Sequence, residues 1–507
     1  MIFIVHCTLS TDIRGGKMIK LQELLKVLEY KELNQDLDID IAGITYDSRK
    51  VEEGYLFVAI TGFKSDGHQF IANAVENGAK AIIVEKDAEA SGVAVIKVED
   101  SRKALAQLSA KFYGYPSKEL TVVGVTGTNG KTTTTYLIES MLKELGIKTG
   151  LIGTIKTKIG DKEEDASRTT PESVDLQRIF AEMLEDGVTH AVMEVSSHAL
   201  ELDRVLGVDF DRQVFTNLSQ DHLDFHESFE DYLAAKIKLF KMNDKPSIIN
   251  VDDVRSEAII KEARGEVISY SINSEADLKA EEIEVNKKGV SYTLKTNQEK
   301  LAIKLNLTGR FNVYNSLAAI GTVYSLGFSL AEIKKGLEKI EGVPGRFQII
   351  NEGQDFGVIV DYAHTPDGME NVLNTASEFT KGRKIVVFGC GGDRDRTKRP
   401  IMGRIGVTLG DFAIVTSDNP RSEEPMAIIE DIKAGIEEEG KVEGEEYIII
   451  EDRATAIKEA IKLAKSEDIV IIVGKGHETY QILKDKTIDF DDREIAREAI
   501  KQLRIKS

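Results

Sequence analysis

The stretch Thr121-Val-Val-Gly-Val-Thr-Gly-Thr-Asn-Gly-Lys-Thr-Thr133 decides the fold of this chain, because it predicts a strand, a glycine-rich turn and the start of a helix. An apolar, β-branched run ends in glycines, Lys131 and hydroxyl residues follow, and a helical pattern continues over residues 136–145. Such glycines let backbone N–H groups surround an oxyanion, while Lys131 can reach the outer phosphates and Thr132 can ligate Mg²⁺. The stretch therefore predicts a nucleoside triphosphate site.

The spacing within this stretch departs from the common phosphate loop. Gly124 and Gly130 are one residue further apart than the usual motif requires, and Val125 stands where its first glycine would be. An ordinary strand, turn and helix without a phosphate is the alternative interpretation. The flanking apolar run and the helical pattern favour the phosphate site.

Composition and charge restrict the class of protein. A chain of 507 residues is too long for one core, so about two to four domains are expected. The net charge of −20 argues against nucleic acid as a partner, because phosphate backbones are bound by basic faces. No apolar run approaches the length that spans a bilayer, so no membrane partner is expected. Two cysteines, Cys7 and Cys390, cannot form a disulfide framework, which predicts a cytoplasmic location.

Predicted strands and helices alternate along the chain, which favours an α/β fold with parallel sheets and crossover helices. The apolar start of the chain lacks the preceding basic region and the long apolar core of a signal peptide, and a helical pattern begins only at Met18, so residues 1–17 are interpreted as an extension or a tag remnant. Three units are predicted to follow: 18–117, 118–343 and 344–507. The second unit changes to an antiparallel β-meander between residues 280 and 307. The strand candidates outside that meander are 56–60, 81–84, 93–98, 189–195, 214–217, 247–250, 358–360, 384–388, 412–416 and 468–473.

Polar segments follow the predicted strands, at the sheet edge where ligands of open α/β sheets bind. In the second unit these segments are Glu194-Val-Ser-Ser-His198 and Asn217-Leu-Ser-Gln-Asp-His-Leu-Asp-Phe-His226. In the third unit they are Asp361-Tyr-Ala-His-Thr-Pro-Asp367, Gly389-Cys-Gly-Gly-Asp-Arg394, Ser417-Asp-Asn-Pro-Arg421 and Gly474-Lys-Gly-His-Glu478. A ligand crevice at each sheet implies a reaction at the interface between them.

Each polar element also has a purely structural interpretation. Asn419-Pro420 is an ordinary turn dipeptide, and Arg421 could be a solvated surface charge. A single histidine usually belongs to a turn or a cap, although several beside acidic residues favour a metal and phosphate site. Glu194 could cap a helix, yet a carboxylate on a strand facing a phosphate loop is a natural second anchor for Mg²⁺. The pattern around Lys236 is that of a helix-surface lysine.

Together, the ordered motifs of the chain resemble those of the Mur ligases of peptidoglycan synthesis. The motifs are TGTNGKT, EVSSHAL, TNLSQDHLDFH, YLAAKIKLF, GRFNVYNSLAA, PGRF, DYAHTPDG, GCGGDRDRTKRP, DNPR, GKGHE and FDDRE. The resemblance covers the chain from Met18 onward. It implies an N-terminal domain for the UDP end of a substrate, a central ATPase domain, and a Rossmann-like C-terminal domain for an incoming amino acid.

The resemblance implies roles for individual residues. It assigns catalysis to Lys131, Glu194, His222 and Lys236. It assigns magnesium binding to Thr132, Glu194, His222 and Lys236, with Lys236 carrying a carbamate from CO₂, because an anion suits a divalent cation as free lysine does not. It assigns nucleotide binding to Gly127, Thr128, Asn129, Gly130, Lys131, Thr132, Thr133, Asn312, Asn315, Arg346, Asp361 and His364. It assigns contacts with the UDP-linked peptide substrate to Ser48, Thr169, Thr170, Ser196 and Arg204. It assigns contacts with the amino acid to Arg394, Asp418, Asn419, Pro420, Arg421, Gly474 and Glu478.

The reaction implied by the resemblance is ATP-dependent amide ligation. ATP would activate the D-Glu γ-carboxylate of UDP-N-acetylmuramoyl-L-Ala-D-Glu as an acylphosphate, and the amine of a third amino acid would attack it. Asp418-Asn-Pro-Arg421 matches the relatives that add meso-diaminopimelate, and L-lysine is the alternative amino acid. All substrates would be small molecules, and the enzyme is expected to be a monomer.

Departures from the family pattern leave some substrate contacts open. Arg168 stands where some relatives have asparagine, Leu202 where some have glutamine, and Glu227 where glycine commonly follows His226. Three rival classes are a switch or motor NTPase, a folylpolyglutamate-type ligase, and a binding protein without activity. Phosphate release by a switch or motor NTPase should not depend on small amino acids. The DNPR segment disfavours the folylpolyglutamate-type ligase. The intact set of catalytic residues disfavours a binding protein without activity.

Overall fold

The computed structural model describes residues 18–33, 37–63, 65–286 and 288–506, so the predicted extension, 1–17, lies outside the described residues. The chain divides into two compact units. Unit 1 holds the described residues up to Gly124 together with Ile147–Asp211, and unit 2 holds Val125–Gly146 together with the described residues from Arg212 onward. The domain boundaries predicted after residues 117 and 343 stay predictions.

The first part of unit 1 contains a five-stranded sheet, a separate two-stranded sheet formed by its first and third strands, and helices. Its strands are β1 (Ile19–Lys20), β2 (Glu32–Leu33), β3 (Asp40–Ile41), β4 (Gly43–Thr45), β5 (Tyr55–Val58), β6 (Ala81–Val84) and β7 (Ala94–Lys97). Its helices are α1 (Leu21–Leu25), α2 (Ile71–Glu76) and α3 (Ser101–Phe112). The strand order is β2-β7-β6-β5-β4, with β4 to β7 parallel. Every residue of β6 is buried, as expected for a parallel strand covered on both faces.

The stretch that decided the fold forms a strand, a loop and a helix, as the sequence predicts. The strand is β8 (Thr121–Thr126) and the helix is α4 (Lys131–Glu144). Strand β8 begins in unit 1 and ends in unit 2. The phosphate loop and α4 therefore belong to unit 2.

The second part of unit 1 carries the predicted carboxylate Glu194. Its elements are β9 (Thr149–Ile152), β10 (Lys156–Ile159), β11 (Lys162–Asp165), α5 (Ser173–Glu185), β12 (His190–Glu194) and α6 (Ser197–Glu201). Strands β9 and β12 are parallel, and β10 and β11 extend the sheet as an antiparallel hairpin that the sequence analysis did not predict. Because Glu194 ends β12, its side chain lies at the carboxyl edge of this sheet.

The first part of unit 2 continues with parallel strands and then the predicted meander. Its strands are β13 (Arg212–Phe215), β14 (Ser247–Asn250), β15 (Val267–Ser271), β16 (Leu278–Asn286), β17 (Gly289–Thr296) and β18 (Lys300–Leu305). Its helices are α7 (Phe229–Phe240), α8 (Ser256–Glu262), α9 (Arg310–Ser325) and α10 (Leu330–Leu337). Strands β13 to β16 are parallel, and β16, β17 and β18 are antiparallel. The predicted change to an antiparallel meander is confirmed.

The remainder of unit 2 contains a six-stranded, doubly wound sheet and a separate two-stranded sheet formed by its last two strands. Its strands are β19 (Gln348–Ile349), β20 (Gly357–Asp361), β21 (Lys384–Phe388), β22 (Phe412–Val415), β23 (Tyr447–Ile449), β24 (Ile469–Val473), β25 (Tyr480–Ile482) and β26 (Thr487–Asp489). Its helices are α11 (Pro366–Ser377), α12 (Lys398–Leu409), α13 (Pro425–Glu438), α14 (Arg453–Leu463) and α15 (Asp492–Lys506). The order β19-β20-β24-β21-β22-β23 is parallel except for β19.

Two hydrophobic cores lie on opposite faces of this last sheet. Met369 of α11, Met402 of α12 and Ile432 of α13 belong to one core. Ile457 of α14 and Ile500 of α15 belong to the other. Helices on both faces of a parallel sheet are the Rossmann-like arrangement that was predicted. The predicted fold class, α/β with a phosphate-loop domain and a Rossmann-like C-terminal domain, is confirmed. Within the described part of the chain, no helix has both the length and the apolar composition that a bilayer crossing requires.

Candidate active site

Two glycines shape the phosphate loop of unit 2. Gly127 has a φ of 149°, and a Cβ there would overlap Thr216 Oγ1. Gly130 has a φ of 85°, and a Cβ there would overlap Asn315 Oδ1. Neither position has the backbone angle or the space for a side chain, so glycine is required at both. The loop is therefore held closely against its neighbours at the N-terminus of α4, where the helix dipole favours an anion.

Lys131 opens helix α4 and folds over this loop. Its Nζ donates to Gly127 O at 2.9 Å and to Thr128 O at 2.8 Å. The loop is tied further by Asn129, whose Nδ2 donates to Asp367 Oδ2 at 2.7 Å. The ammonium group thus lies beside the backbone that would surround a phosphate, as the sequence predicts.

Lys236 of α7 is buried, although its sequence pattern is that of a surface lysine. The residue is 1% exposed, and its Nζ donates to Gly127 O at 2.8 Å. Its Nζ also lies 4.5 Å from the ring centroid of Tyr232. Burial, reinforced by the charge of Lys131, holds the pKa of Lys236 well below its usual value. The helix-surface interpretation is wrong, because the fold turns this side of α7 toward the loop.

A buried carboxylate, Asp221, lies beside the predicted ligand His222. His222 Nε2 is 3.3 Å from Asp221 Oδ2. Burial raises the pKa of Asp221, but electrostatic interactions with His222, His364 and Lys398 outweigh burial and lower it to about 2. Asp221 is therefore an anion at neutral pH. Asp221 is not among the predicted site residues, although it lies inside the polar segment 217–226.

Of the predicted nucleotide residues in the later part of unit 2, Arg346 contacts the first turn of α4. Arg346 Nη2 donates to Thr132 Oγ1 at 2.9 Å, and its guanidinium carbon is 4.4 Å from the ring centroid of Tyr362. Asp361 accepts two backbone N–H groups, at 2.6 and 2.7 Å, so its carboxylate fixes local backbone. Burial lowers the pKa of His364 to about 4, which makes it a neutral imidazole at pH 7.

Two asparagines of α9 complete this set. Asn315 stands against Gly130 and donates through Nδ2 to Asn312 Oδ1 at 2.9 Å. Asn312 in turn donates to Thr308 O at 2.8 Å. The structure therefore brings Arg346 and Asn315 to the loop and the first turn of α4, and Asn312 joins them through Asn315.

In unit 1, Glu194 is held by hydrogen bonds at the end of β12. The residue is 1% exposed, and its carboxylate accepts from Thr154 N–H at 2.8 Å and from Thr154 Oγ1 at 3.0 Å. Thr154 Oγ1 is also 3.0 Å from Thr169 Oγ1. Thr170 Oγ1 donates to the Glu194 backbone carbonyl at 2.9 Å. The predicted substrate threonines therefore lie beside the predicted metal-binding carboxylate.

Arg204 extends this cluster in unit 1. Its Nη1 donates to Thr170 O at 3.2 Å, and its Nη2 lies 3.0 Å from Glu172 Oε1. Ser196 donates its backbone N–H to Thr170 Oγ1 at 3.1 Å. Ser48 lies elsewhere, in the turn after β4, and no hydrogen bond found among the described residues of unit 1 joins it to this cluster.

The predicted amino-acid site lies at the carboxyl edge of the last sheet. Arg421 has a φ of 53°, and its Nη1 donates to Gly392 O at 2.7 Å. Burial, followed by the charge of the exposed Arg394, lowers the pKa of Arg421. A Cβ on Gly392 would overlap the carbonyl of Pro420, so the two loops are in close contact.

The other predicted residues of this site are packed together behind Arg421. Asn419 Nδ2 donates to Glu478 Oε2 at 2.9 Å. A Cβ on Gly474 would lie 2.6 Å from Asp418 Oδ2, and Gly474 has a φ of 118°. Segments that are far apart in the sequence thus meet at one edge, as their positions after parallel strands predict.

The predicted site would bind ATP together with Mg²⁺. Over the ranges that the structure describes, no group of three or more His, Cys, Asp or Glu side chains is gathered as a metal site. Mg²⁺ does not need such a cage, because it keeps several waters and binds through about one or two carboxylates plus substrate phosphates. The Thr132 hydroxyl at the loop and the anionic Asp221 nearby fit an ion that arrives with a phosphate.

Three models of protein domains from one family match successive parts of the chain. Residues 40–113 match "Mur ligase family, catalytic domain", residues 125–323 match "Mur ligase middle domain", and residues 345–476 match "Mur ligase, glutamate ligase domain". The chain belongs to the Mur ligase family. Mur ligases are ATP-dependent, ADP-forming amide ligases that act with Mg²⁺, so the predicted class of enzyme is confirmed.

Individual relatives of this Mur ligase are similar over nearly their whole length. UDP-N-acetylmuramoyl-L-alanyl-D-glutamate--2,6-diaminopimelate ligase of Clostridium tetani is 51% identical over 491 residues, which are 96% of this chain and 100% of the relative. The protein of the same name from Halalkalibacterium halodurans is 49% identical over 490 residues, 96% of this chain and 99% of the relative. A solved structure of a ligase with this name has a TM-score of 0.69 at 34% identity, covering 96% of this chain and 100% of that chain.

Several residues that contact the predicted site residues of this Mur ligase are not predicted from its sequence. Asp221 and Asp367 lie inside quoted motifs, but nothing in the sequence separates them from the other acidic residues there. Tyr232 precedes Lys236 by one helical turn, so the i, i+4 spacing could have suggested its contact. Thr154 carries no signal, because it lies in a loop and reaches Glu194 only through the fold.

Proposed function

We propose that this Mur ligase adds meso-diaminopimelate to the D-Glu γ-carboxylate of UDP-N-acetylmuramoyl-L-Ala-D-Glu in peptidoglycan synthesis. The observation that carries the proposal is Arg421 at the edge of the last sheet, in a chain that is 51% identical to a ligase named for this activity. A guanidinium can hold the second carboxylate of diaminopimelate through two parallel hydrogen bonds, whereas L-lysine has no such carboxylate.

The chemistry follows from the poor reactivity of a carboxylate toward an amine. The γ-carboxylate takes the γ-phosphoryl group of ATP, ADP leaves, and an acylphosphate forms. The neutral amine of diaminopimelate then attacks the acyl carbon, phosphate leaves, the amide bond remains, and the amine releases a proton. Lys131 offsets the negative charge that gathers during phosphoryl transfer, and bound magnesium supplies further positive charge there.

The residue assignments of the sequence analysis form part of the proposal. The proposed magnesium ligands are Thr132, Glu194, His222 and carbamylated Lys236. The proposed nucleotide residues are those of the phosphate loop with Asn312, Asn315, Arg346, Asp361 and His364. The proposed substrate residues are Ser48, Thr169, Thr170, Ser196, Arg204, Arg394, Asp418, Asn419, Pro420, Arg421, Gly474 and Glu478. Hydrogen bonds within unit 2 support Lys236, Arg346 and Glu478, and those within unit 1 support Glu194. The combination of these residues into sets, and the role of Ser48, rest on sequence resemblance.

The activity is tested by ADP release from the purified protein with ATP, magnesium and the UDP-linked dipeptide. We expect release to require an added amino acid, and kcat/KM for meso-diaminopimelate to exceed that for L-lysine by at least about 10-fold. Preference for L-lysine would replace the proposed amino acid with the alternative one. Equal ADP release without any amino acid would instead favour a switch or motor NTPase.

A carbamate on Lys236 is supported by the burial of its amine. An unprotonated amine can attack CO₂ to form a carbamate with loss of a proton, and burial lowers the pKa of this lysine. We expect Lys236→Ala to lower the ligation rate by about 10- to 100-fold, the scale of lost metal-site ligands. Short carboxylates such as acetate or formate should restore part of that rate, because they supply the missing anion.

Lys238→Ala is the matched control for Lys236→Ala, since Lys238 lies on the same helix and is exposed. Its ligation rate should stay near that of the unchanged protein. Intact mass measured under bicarbonate should show the added mass of one CO₂ in the control and none in Lys236→Ala. A fully active protein with an unmodified Lys236 would rule the carbamate out.

A further inference from the structure

Behind the amino-acid site lies a buried lysine that the proposed reaction does not use. Lys475 follows β24, and its side chain is 0% exposed. Its Nζ donates to Glu478 Oε2 at 2.7 Å and to Asn419 Oδ1 at 3.1 Å. The same Nζ lies 5.5 Å from the ring centroid of Tyr480. A buried ammonium is stable only when it is paired and hydrogen-bonded, and these contacts meet that requirement.

Lys475, Asn419 and Glu478 fix one another's orientation. Asn419 Oδ1 also accepts from Ile482 N–H at 2.9 Å, so two donors face this oxygen. The amide nitrogen is thereby directed to Glu478 Oε2, to which it donates at 2.9 Å. Lys475 and Asn419 both bind Oε2, and no hydrogen bond to Oε1 is found in the described part of the chain. The carboxylate of Glu478 is therefore held through one oxygen and can offer the other to a ligand.

We propose that Lys475 is a positioning and specificity residue of the amino-acid site. It orients Glu478 toward the distal ammonium of the incoming amino acid, and it cancels most of the charge of that carboxylate. The site then accepts a distal end that carries both an ammonium and a carboxylate, and it disfavours a distal end that is a bare cation. This inference rests on the proposed function.

The charges around Glu478 give the reason for this selection. Lys475 and Arg421 are positive and Glu478 is negative, so the three groups together carry a net positive charge. Asp418 and Arg394, which lie nearby, have opposite charges that offset each other. Diaminopimelate brings an ammonium for Glu478 and a carboxylate for Arg421. L-Lysine brings only a further positive charge. Without the charge of Lys475, Glu478 would be an unpaired carboxylate, which favours a cation.

The test compares kcat/KM for meso-diaminopimelate and for L-lysine in the full-length enzyme. Lys475→Met keeps the approximate length of the side chain but removes its charge. We expect it to lower the ratio of kcat/KM for meso-diaminopimelate to kcat/KM for L-lysine by at least about 10-fold, mainly through the KM values of the two amino acids. KM for ATP should stay unchanged. Lys475→Arg keeps the charge and should retain the preference, with a higher KM for diaminopimelate because the planar group fits this pocket poorly.

Lys462→Met is the control, because Lys462 is an exposed lysine of α14 paired with Glu459. It should leave the ratio unchanged. A purely structural role of Lys475 would lower the use of both amino acids together, so a ratio within about twofold of the unchanged enzyme would overturn the proposal.

Glu478→Gln provides a second readout should Lys475→Met fail to fold. It leaves the charge of Lys475 uncompensated, so the use of L-lysine must fall more than the use of diaminopimelate. Equal falls would overturn the proposal. An unchanged enzyme that shows no diaminopimelate-dependent turnover would overturn the proposed function and this inference with it. Turnover with an unaltered ratio in the variants would overturn this inference alone.

Discussion

Lys131→Ala is expected to lower the rate of amide formation by at least about 100-fold, the scale of losing one group that stabilises developing charge. The Nζ of Lys131 lies over the phosphate loop, where it donates to two loop carbonyls at 2.8 and 2.9 Å. Alanine keeps the start of helix α4 but removes the charge that accompanies phosphoryl transfer. Glu194→Ala in unit 1 is expected to have an effect of the same size. The measurement is ADP release at saturating substrates.

A folded state must be shown for both variants, by thermal unfolding and by circular dichroism. Lys335→Ala is the control, because Lys335 is an exposed lysine on α10 in the same unit as the loop. It should release ADP at the rate of the unchanged enzyme. Near-normal turnover in folded Lys131→Ala or Glu194→Ala would remove the assignment of the nucleotide and metal residues.

Arg421→Ala is expected to reduce the preference for meso-diaminopimelate over L-lysine on the order of 100-fold, if the guanidinium pairs with the distal carboxylate away from water. The half-buried Arg421 has a φ of 53°, and alanine retains the Cβ that makes this backbone angle unfavourable. The substitution therefore changes the charge without relaxing the loop. Competition between the two amino acids in one reaction measures the preference directly.

Arg404→Ala is the matched control for Arg421→Ala. Arg404 lies on α12 and is paired at the surface with Glu438 and Glu439. Its loss should leave the preference unaltered. If the unchanged enzyme used L-lysine as well as diaminopimelate, the assignment of Arg421 to the distal carboxylate would be wrong.

Most of the fold could be predicted from local sequence, because buried parallel strands are continuous apolar runs. The runs that became β6, β14, β21 and β24 agree with the structure to within about two residues, the usual uncertainty at element ends. The hairpin of β10 and β11 was missed because its charged, half-exposed strands resemble a loop. Such edge strands are defined by their neighbours in the sheet, which a linear pattern does not contain.

The candidate site was only partly accessible from the sequence. The glycines indicate a phosphate loop because its backbone requires positive φ angles at Gly127 and Gly130, and Lys131 indicates it because its charge can reach the phosphates. The burial of Lys236 and Lys475 depends on which elements pack over them, and the local sequence of either lysine does not contain that information. Family resemblance selected Lys236, and only the packed structure drew attention to Lys475. The sequence therefore indicates where ligands bind better than it indicates which charges are paired there.

The close packing around the phosphate loop has a consequence for synthesis on the ribosome. Asn129 is held by Asp367, a residue 238 positions later. At a translation rate of about 5 to 20 residues per second, the loop waits roughly 10 to 50 s for this partner to be made. Arg346 likewise reaches Thr132 only after most of the chain exists. A nascent or prematurely terminated polypeptide that ends before Asp367 therefore has the nucleotide motif in its sequence without the contacts that hold the loop in the folded enzyme.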